Sequence, residues 1–231
     1  MTQSERIPAR SYRSDRRATQ ARATRQRVLS AATALFLARG YLGTTMRAIA
    51  GEAKVSLPMV EALFGTKARV LKAAIDVAIA GDDEHVAVLD RDWARAAAHA
   101  PTVEEFLMIA SGVIGPAQDR SAGLVLALFE GSSADAELTR LANQMITSRA
   151  ETARWLVDTM ITKAALRTGC TRSEAIDTIW ILMDPAVYDR LTRQRHWTSQ
   201  QYQEWFAGSA YRLLITESPA LPTTMNRSTD E

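Results

Sequence analysis

The side chains best suited to chemistry here are cations and groups that touch base edges, not nucleophiles. Residues 1–27 hold eight arginines (Arg6, Arg10, Arg13, Arg16, Arg17, Arg22, Arg25 and Arg27) against Glu5 and Asp15, a local charge of +6. The whole chain of 231 residues carries only +2, so the remaining 204 carry −4. A basic arm on a mildly acidic body points to a polyanion partner. Further along, Arg47, Lys54, Lys67 and Arg69 bracket the stretch "SLPMVEALFG", residues 56–65. Within it Met59 and Ala62 could lie against thymine methyls, and Glu61 could accept from cytosine N4. Free N–H groups at helix starts near Thr45 and Lys67 could meet phosphates, as could Arg22 and Arg25 from the arm.

Catalytic constellations are missing from the sequence. His85, His99 and His196 are scattered without metal-ligand spacing, and Cys170 is the one cysteine, so no intrachain disulfide can form. There is no G-x-S-x-G, no phosphate-binding glycine loop and no H-E-x-x-H. The chain is therefore expected not to be an enzyme and to need no metal or cofactor. No run of about 18 apolar residues exists to cross a membrane. The arm has no apolar core of a secretory signal, and it lacks the apolar residues of a transit peptide beyond Ile7 and Tyr12. A cytoplasmic, nucleoid-associated protein is the expectation.

The elements that must position these residues read as helices throughout, an all-α chain. One helix is predicted over about Thr24–Arg39, stopped by Gly40. A second covers about Thr45–Glu52, and a third follows Ser56 with Pro58 in its first turn, where the missing N–H costs little. A fourth runs from Lys67 to about Ala80. Residues 1–23 are expected to form a flexible arm, 24–80 a DNA-binding domain with its linking helix, 81–217 a helical effector and dimerisation domain, and 218–231 a flexible tail. In that larger half, Gly115-Pro116 is expected to interrupt a helix opened by Thr102, leaving "SAGLVLALFE" as a separate buried helix. Capping-box pairs Thr171/Glu174 and Thr198/Gln201 open two later helices.

Residues 46–64 fit a helix-turn-helix. Ala50 and Ala53 are small enough for a steep crossing, Ile49, Val55, Val60 and Phe64 are apolar pins, and Ala53-Lys54-Val55 is the turn. With Val60 central to the buried face, steps of about 100° per residue place Phe64, Leu57 and Leu63 within about 60° of it. Pro58, Met59, Glu61 and Ala62 then point furthest outward.

The stretch "GYLGTTMRAIAGEAKVSLPMVEALFGTKARVLKAAI", residues 40–75, resembles the DNA-binding domain of the tetracycline-repressor (TetR) family. Gly40-Tyr41, Thr44-Thr45-Met46, Ile49-Ala50, Ala53, Val55-Ser56, Phe64, Lys67 and Leu71 carry the likeness, and "VLSAATALFLARG" before it fits. "GDDE" at 81–84 and "WILMDPAVYDRLTRQRHWTSQQYQEWF" resemble an actinobacterial branch of that family. The resemblance implies a double-stranded DNA operator, a helical effector domain of acyl-chain size, and a homodimer held by the last two long helices. The family usually has glycine at the position of Lys54, and often Thr, Tyr, Tyr and His where this chain has Met59, Glu61, Ala62 and Leu63.

In the second half, an effector site lined by Phe106, Ile109, Leu128, Phe129, Met145, Trp155 and Met160 is expected, with Asn143 and Gln144 as polar candidates on a solvated face. It predicts a small, uncharged, mainly apolar effector. Ile176, Trp180, Met183, Tyr202, Trp205, Phe206 and Leu213 are the expected dimer face. Together these readings predict a ligand-responsive regulator, a repressor released from a palindromic operator. The alternative is a small-molecule or protein-binding module of the same fold with weak DNA binding.

Overall fold

The computed structural model describes residues 9–82 and 87–216. All its regular elements are helices, apart from an isolated antiparallel bridge between Leu166 and Ile215. The helices are α1 (Ala9–Arg39), α2 (Met46–Glu52), α3 (Leu57–Phe64), α4 (Lys67–Ala80), α5 (Asp92–His99), α6 (Val103–Gly131), α7 (Ala136–Ile161), α8 (Arg172–Leu182), α9 (Pro185–Asp189) and α10 (Ser199–Leu214). The arm expected over residues 1–23 begins, among the described residues, as the first turns of α1, so the helix starts well before Thr24. Residues 1–8, and 217–231 with the expected tail, lie outside the described residues.

Helix starts follow their caps. Thr45, Thr66 and Thr102 each accept the backbone N–H three residues on, and Asp135 accepts from Glu137 and Leu138. Of the three pairs with capping-box spacing, Thr171/Glu174 and Thr198/Gln201 form reciprocal boxes, while at Thr102/Glu105 only the threonine hydroxyl takes part. Ser56 stands at the N-cap of α3 without a side-chain bond to it; Pro58 in the first turn removes one of the N–H groups that need a partner. Gly40 and Gly81 close α1 and α4 with φ of 64° and 85°, a region glycine enters without a Cβ clash.

The expected break at Gly115-Pro116 does not occur: α6 runs unbroken through Pro116 and takes in "SAGLVLALFE" as its second half. Pro116 removes the bond to the carbonyl of Gly112, and Gly112 is exposed, so water can serve that oxygen. Gly115 has a separate purpose. Any side chain there would run into Gln203, so its hydrogen lets α10 lie close along α6.

Two apolar cores result. The first joins α1–α4 through Val28, Phe36, Ile49, Val60, Leu71 and Ile75, and it also takes Leu124, Val125 and Leu128 of α6 and Leu138 of α7. The second gathers α5, the first half of α6, the far half of α7 and α8–α10 around Phe106, Leu156, Ile179, Tyr202 and Phe206. The sequence boundary at 80/81 therefore does not separate the cores, because α6 and α7 thread both.

Candidate DNA-reading head and effector cavity

The head is built by α2 and α3 crossing over Ile49, Ala50, Ala53, Val60 and Phe64, all buried. The turn between them requires Lys54 at φ 55°, the left-handed region where a side chain other than glycine is strained. This is the family's glycine position, and the backbone keeps the glycine conformation under a lysine. On α3, Pro58, Met59, Glu61 and Ala62 are exposed, Leu57 and Leu63 half-buried, Val60 and Phe64 buried. The outward face is the one expected from the sequence.

The cations and threonines named from the sequence fall into two groups. Arg22, Arg47 and Lys54 are exposed, and Arg25 lies with its guanidinium 4.8 Å from the Phe64 ring centre. Thr45 is spent on capping α2. Thr44 is fully buried, its hydroxyl 2.8 Å from the Gly40 carbonyl and 3.1 Å from that of Leu35, so it shapes the α1–α2 loop. Lys67 also turns inward. Its ammonium donates to the carbonyls of Tyr41 and Thr44, both at 2.8 Å, and sits 3.9 Å from the Tyr41 ring centre. Desolvation pushes its pKa down, against the pull of Asp135. Arg69 is mostly exposed and pairs with Glu137 at 3.1 Å.

Arg69, together with Tyr41 and Thr66, ties the head to the start of α7. The Tyr41 hydroxyl donates to Asp135 at 2.9 Å, and Thr66 and Arg69 both donate to the Glu137 carboxylate. The bond from Tyr41 holds the Asp135 carboxyl below its usual range, and burial with Asp135 pushes the Tyr41 hydroxyl up.

A half-open cavity of about 670 Å³ lies between α4, α6, α7 and the start of α9. Of the seven residues expected to line an effector site, Met145 alone is on its wall. Phe106 and Met160 are fully buried in the second core, Trp155 meets Trp93 edge-on and Phe106 at a tilt, Leu128 and Phe129 belong to the first core, and Ile109 packs on the second. Large apolar side chains fill space; the cavity opens where small ones stand, at Ala73, Ala80, Ala117, Ser121 and Ser148. Asn143 and Gln144 are exposed.

The wall also carries polar groups that the sequence reading passed over. Arg149 is buried, 2.8 Å from Asp184, donates to the Trp180 carbonyl and lies 4.7 Å from that ring's centre. Burial lowers its pKa and Asp184 raises it. Gln118 is buried and donates to the Met183 carbonyl. Arg120 crosses to the end of α4 and donates to the carbonyls of Ala78 and Ile79. Arg149 had a visible signal: it interrupts the stripe Leu138, Ala142, Met145, Ala153, Leu156, Met160 at a position where helical spacing demands an apolar residue.

The expected dimer face divides. Tyr202 and Phe206 are fully buried and Met183 faces the cavity, so these three serve the protomer itself. Tyr202 donates to the Leu182 carbonyl, locking α10 to α8. Ile176, Trp180 and Trp205 are half-buried, and Leu213 is exposed along with Ile181.

Residues 28–74 match the family model for bacterial regulatory proteins of the tetR family. No curated protein matches the chain at a significant level. Among solved structures it is similar to NalD, the secondary repressor of the MexAB-OprM multidrug efflux pump in Pseudomonas aeruginosa, at 17% identity and a TM-score of 0.62 over 85% of this chain and 99% of that one. It is likewise similar to the transcriptional regulator FadR from Bacillus subtilis in complex with stearoyl-CoA, at 14% identity and a TM-score of 0.62 over 81% and 98% of the two chains. A protein from Saccharomonospora viridis in complex with choline matches at 17% identity and a TM-score of 0.62, over 84% and 98%. Residues 28–74 thus carry the match to the tetR family model, and the chain as a whole shares the fold of these solved transcriptional regulators.

Proposed function

We propose that this chain is a ligand-responsive transcriptional repressor that binds a palindromic operator as a homodimer in the cytoplasm, at the nucleoid, and is released by a small, mainly apolar effector. The observation that carries this reading is the double duty of α4. Its first residue, Lys67, holds the loop before α2 through the carbonyls of Tyr41 and Thr44, and Ala73, Val77, Ile79 and Ala80 further along it form a wall of the cavity. An occupant that displaces this wall must move the head, which is the differential contact that allostery requires.

On DNA, α3 would present Pro58, Met59, Glu61 and Ala62 to the major groove, with Arg47 and Lys54 on flanking phosphates and Arg22 and Arg25 from α1 adding backbone contacts. Arg69 would join them when released from Glu137. Thr44 and Lys67 hold the frame rather than the DNA. Most of the affinity then comes from phosphates, so binding falls steeply with salt. Ile176, Trp180, Ile181, Trp205 and Leu213 offer the two-fold contact that a palindrome needs. This chemistry is binding throughout, with no catalytic step.

The test is a gel shift of the protein with the DNA upstream of its own gene against an unrelated duplex of equal length, over a salt series. A specific shift that persists at moderate salt supports the repressor. Equal retention of both duplexes at every salt would sink it in favour of a binding module on the same fold.

A further inference from the structure

The charges around the cavity do not suit the uncharged effector expected from the sequence. Arg25, Arg91, Arg120 and Arg149 stand on its wall against Asp76 and Asp82. Each acid there already has a cation: Asp76 meets Lys72 at 2.6 Å, and Asp82 takes a two-pronged contact from Arg91 at 2.6 and 2.8 Å. Asp184, just behind the wall, is held by Arg149.

Arg120 differs. It donates to two carbonyl oxygens, Ala78 at 2.8 Å and Ile79 at 3.4 Å, and no carboxylate contacts it among the described residues. Those carbonyls are orphans of the last turn of α4, where Gly81 serves only Val77. A guanidinium has five N–H donors, and Arg120 spends two. It therefore brings a charge that no carboxylate contacts among the described residues, and unused donors, to a cavity whose apolar wall includes Val77, Trp93, Val113, Ile114, Val125 and Met145. Bidentate recognition of a carboxylate is what this side chain does best.

We propose that the cavity takes an amphipathic monocarboxylate, its carboxylate on Arg120 at the end of α4 and its apolar body along Val77, Val113, Ile114 and Val125. The inference rests on reading this cavity as the effector site. A volume of about 670 Å³ lies in the range of small-molecule sites, roughly 300–1,000 Å³, and suits a chain of medium length.

Calorimetric titration of the DNA-free, full-length protein tests it, with decanoate, methyl decanoate and decyltrimethylammonium as probes. Decanoate should bind at least ~10-fold tighter than the neutral ester, the scale of one charge-assisted hydrogen bond, and the cation should bind weakest. Arg120→Gln should lose that preference while its affinity for the ester stays unchanged, and Arg120→Lys, which keeps the charge without the two-pronged fork, should restore only part of it. A thermal melt of each variant confirms that the fold is kept. Equal binding of ester and decanoate, tightest binding of the cation, no binding of decanoate to the folded wild type, or an unchanged preference in Arg120→Gln would each overturn the assignment. Because no DNA is present, these outcomes are independent of the gel shift: an operator-specific protein that ignores decanoate refutes the ligand class alone.

Discussion

Replacing Lys54 by glycine should stabilise the protein and weaken its hold on DNA at once. At φ 55° a residue with a Cβ pays roughly 1–2 kcal/mol that glycine does not. Glycine gives back about 0.4–1 kcal/mol through the greater freedom of its unfolded chain. The net gain is about 0.5–1 kcal/mol, which for a domain of this size raises Tm by roughly 1–4 °C. Lys54→Ala is the control, since it removes the ammonium and keeps the strain, so its Tm should match the wild type. Lys54→Asn should fall between, because a short polar side chain tolerates this region. Binding separates the second role. If each lysine meets one phosphate, removing it from both protomers flattens the slope of log K against log salt by about 1.8. Fluorescence anisotropy with a labelled operator between about 50 and 200 mM salt measures that slope. Glycine and alanine variants must flatten it equally and differ in Tm. Identical melting of the two would refute the strain, and an unchanged slope would refute the phosphate contact.

Lys67→Met removes two charge-assisted bonds and a cation–ring contact from the loop before α2, and should cost about 3 kcal/mol or more in denaturant unfolding, with the salt slope of DNA binding unchanged. A flattened slope with little loss of stability would mean the lysine reaches DNA after all. Glu137→Gln frees the mostly exposed Arg69 from a carboxylate that is only 23% exposed, so stability should fall by about 0.5–1.5 kcal/mol while the salt slope steepens, toward one further phosphate contact per protomer. The Asp135 carboxyl titrates below its unfolded value of about 4, so its share of stability is present above that pH and is lost as pH falls through the lower folded pKa. Asp135→Asn should therefore flatten the acid limb of the stability-pH profile and leave its shape above pH ~5 unchanged. Glu61→Ala should relax preference at one base pair per half-site, by about 1–3 kcal/mol in a competition assay across operator variants; an unaltered preference profile contradicts a cytosine contact.

What could be read from the sequence was whatever local physics decides. The buried pins of the head, the outward four of α3, the threonine caps and the glycine stops all follow from helical spacing and N–H bookkeeping within a few residues. The cavity escaped because it is defined by what is small. The expected lining was chosen for size, and size is why Phe106 and Met160 are packed solid. Arg149 and Arg120 belong to the same lesson: their partners, Asp184 and the end of α4, are distant in sequence, so spacing alone shows only that a cation interrupts a helix. Tyr202 and Phe206 were assigned to a partner subunit because α10 is apolar over a wide arc. The close approach allowed by Gly115 brings α6 onto that arc instead, and α10 leaves only its margin exposed.

The strength of the ties along α4 decides how an effector could act. Val70, Leu71, Ala74 and Ile75 are buried in a core shared with Leu124, Val125 and Leu128, and stripping even one such side chain from its packing costs several kcal/mol. No ligand differential of the usual 1–3 kcal/mol can pull α4 off α6. The polar ties at its ends are another matter. Thr66 and Arg69 to Glu137 at its start, and Arg120 to Ala78 and Ile79 at its end, are open to solvent, and each contributes about 0.5–1.5 kcal/mol net. Occupancy of the cavity can exchange these and leave the core intact. The motion open to α4 is therefore a slide or roll on its apolar face, pivoting where the head meets α7. In the proposed homodimer such a motion would change the separation of two heads on a palindrome without unfolding either, and the proposed phosphate-dominated interface, which would have to meet both half-sites in register, would be sensitive to that separation.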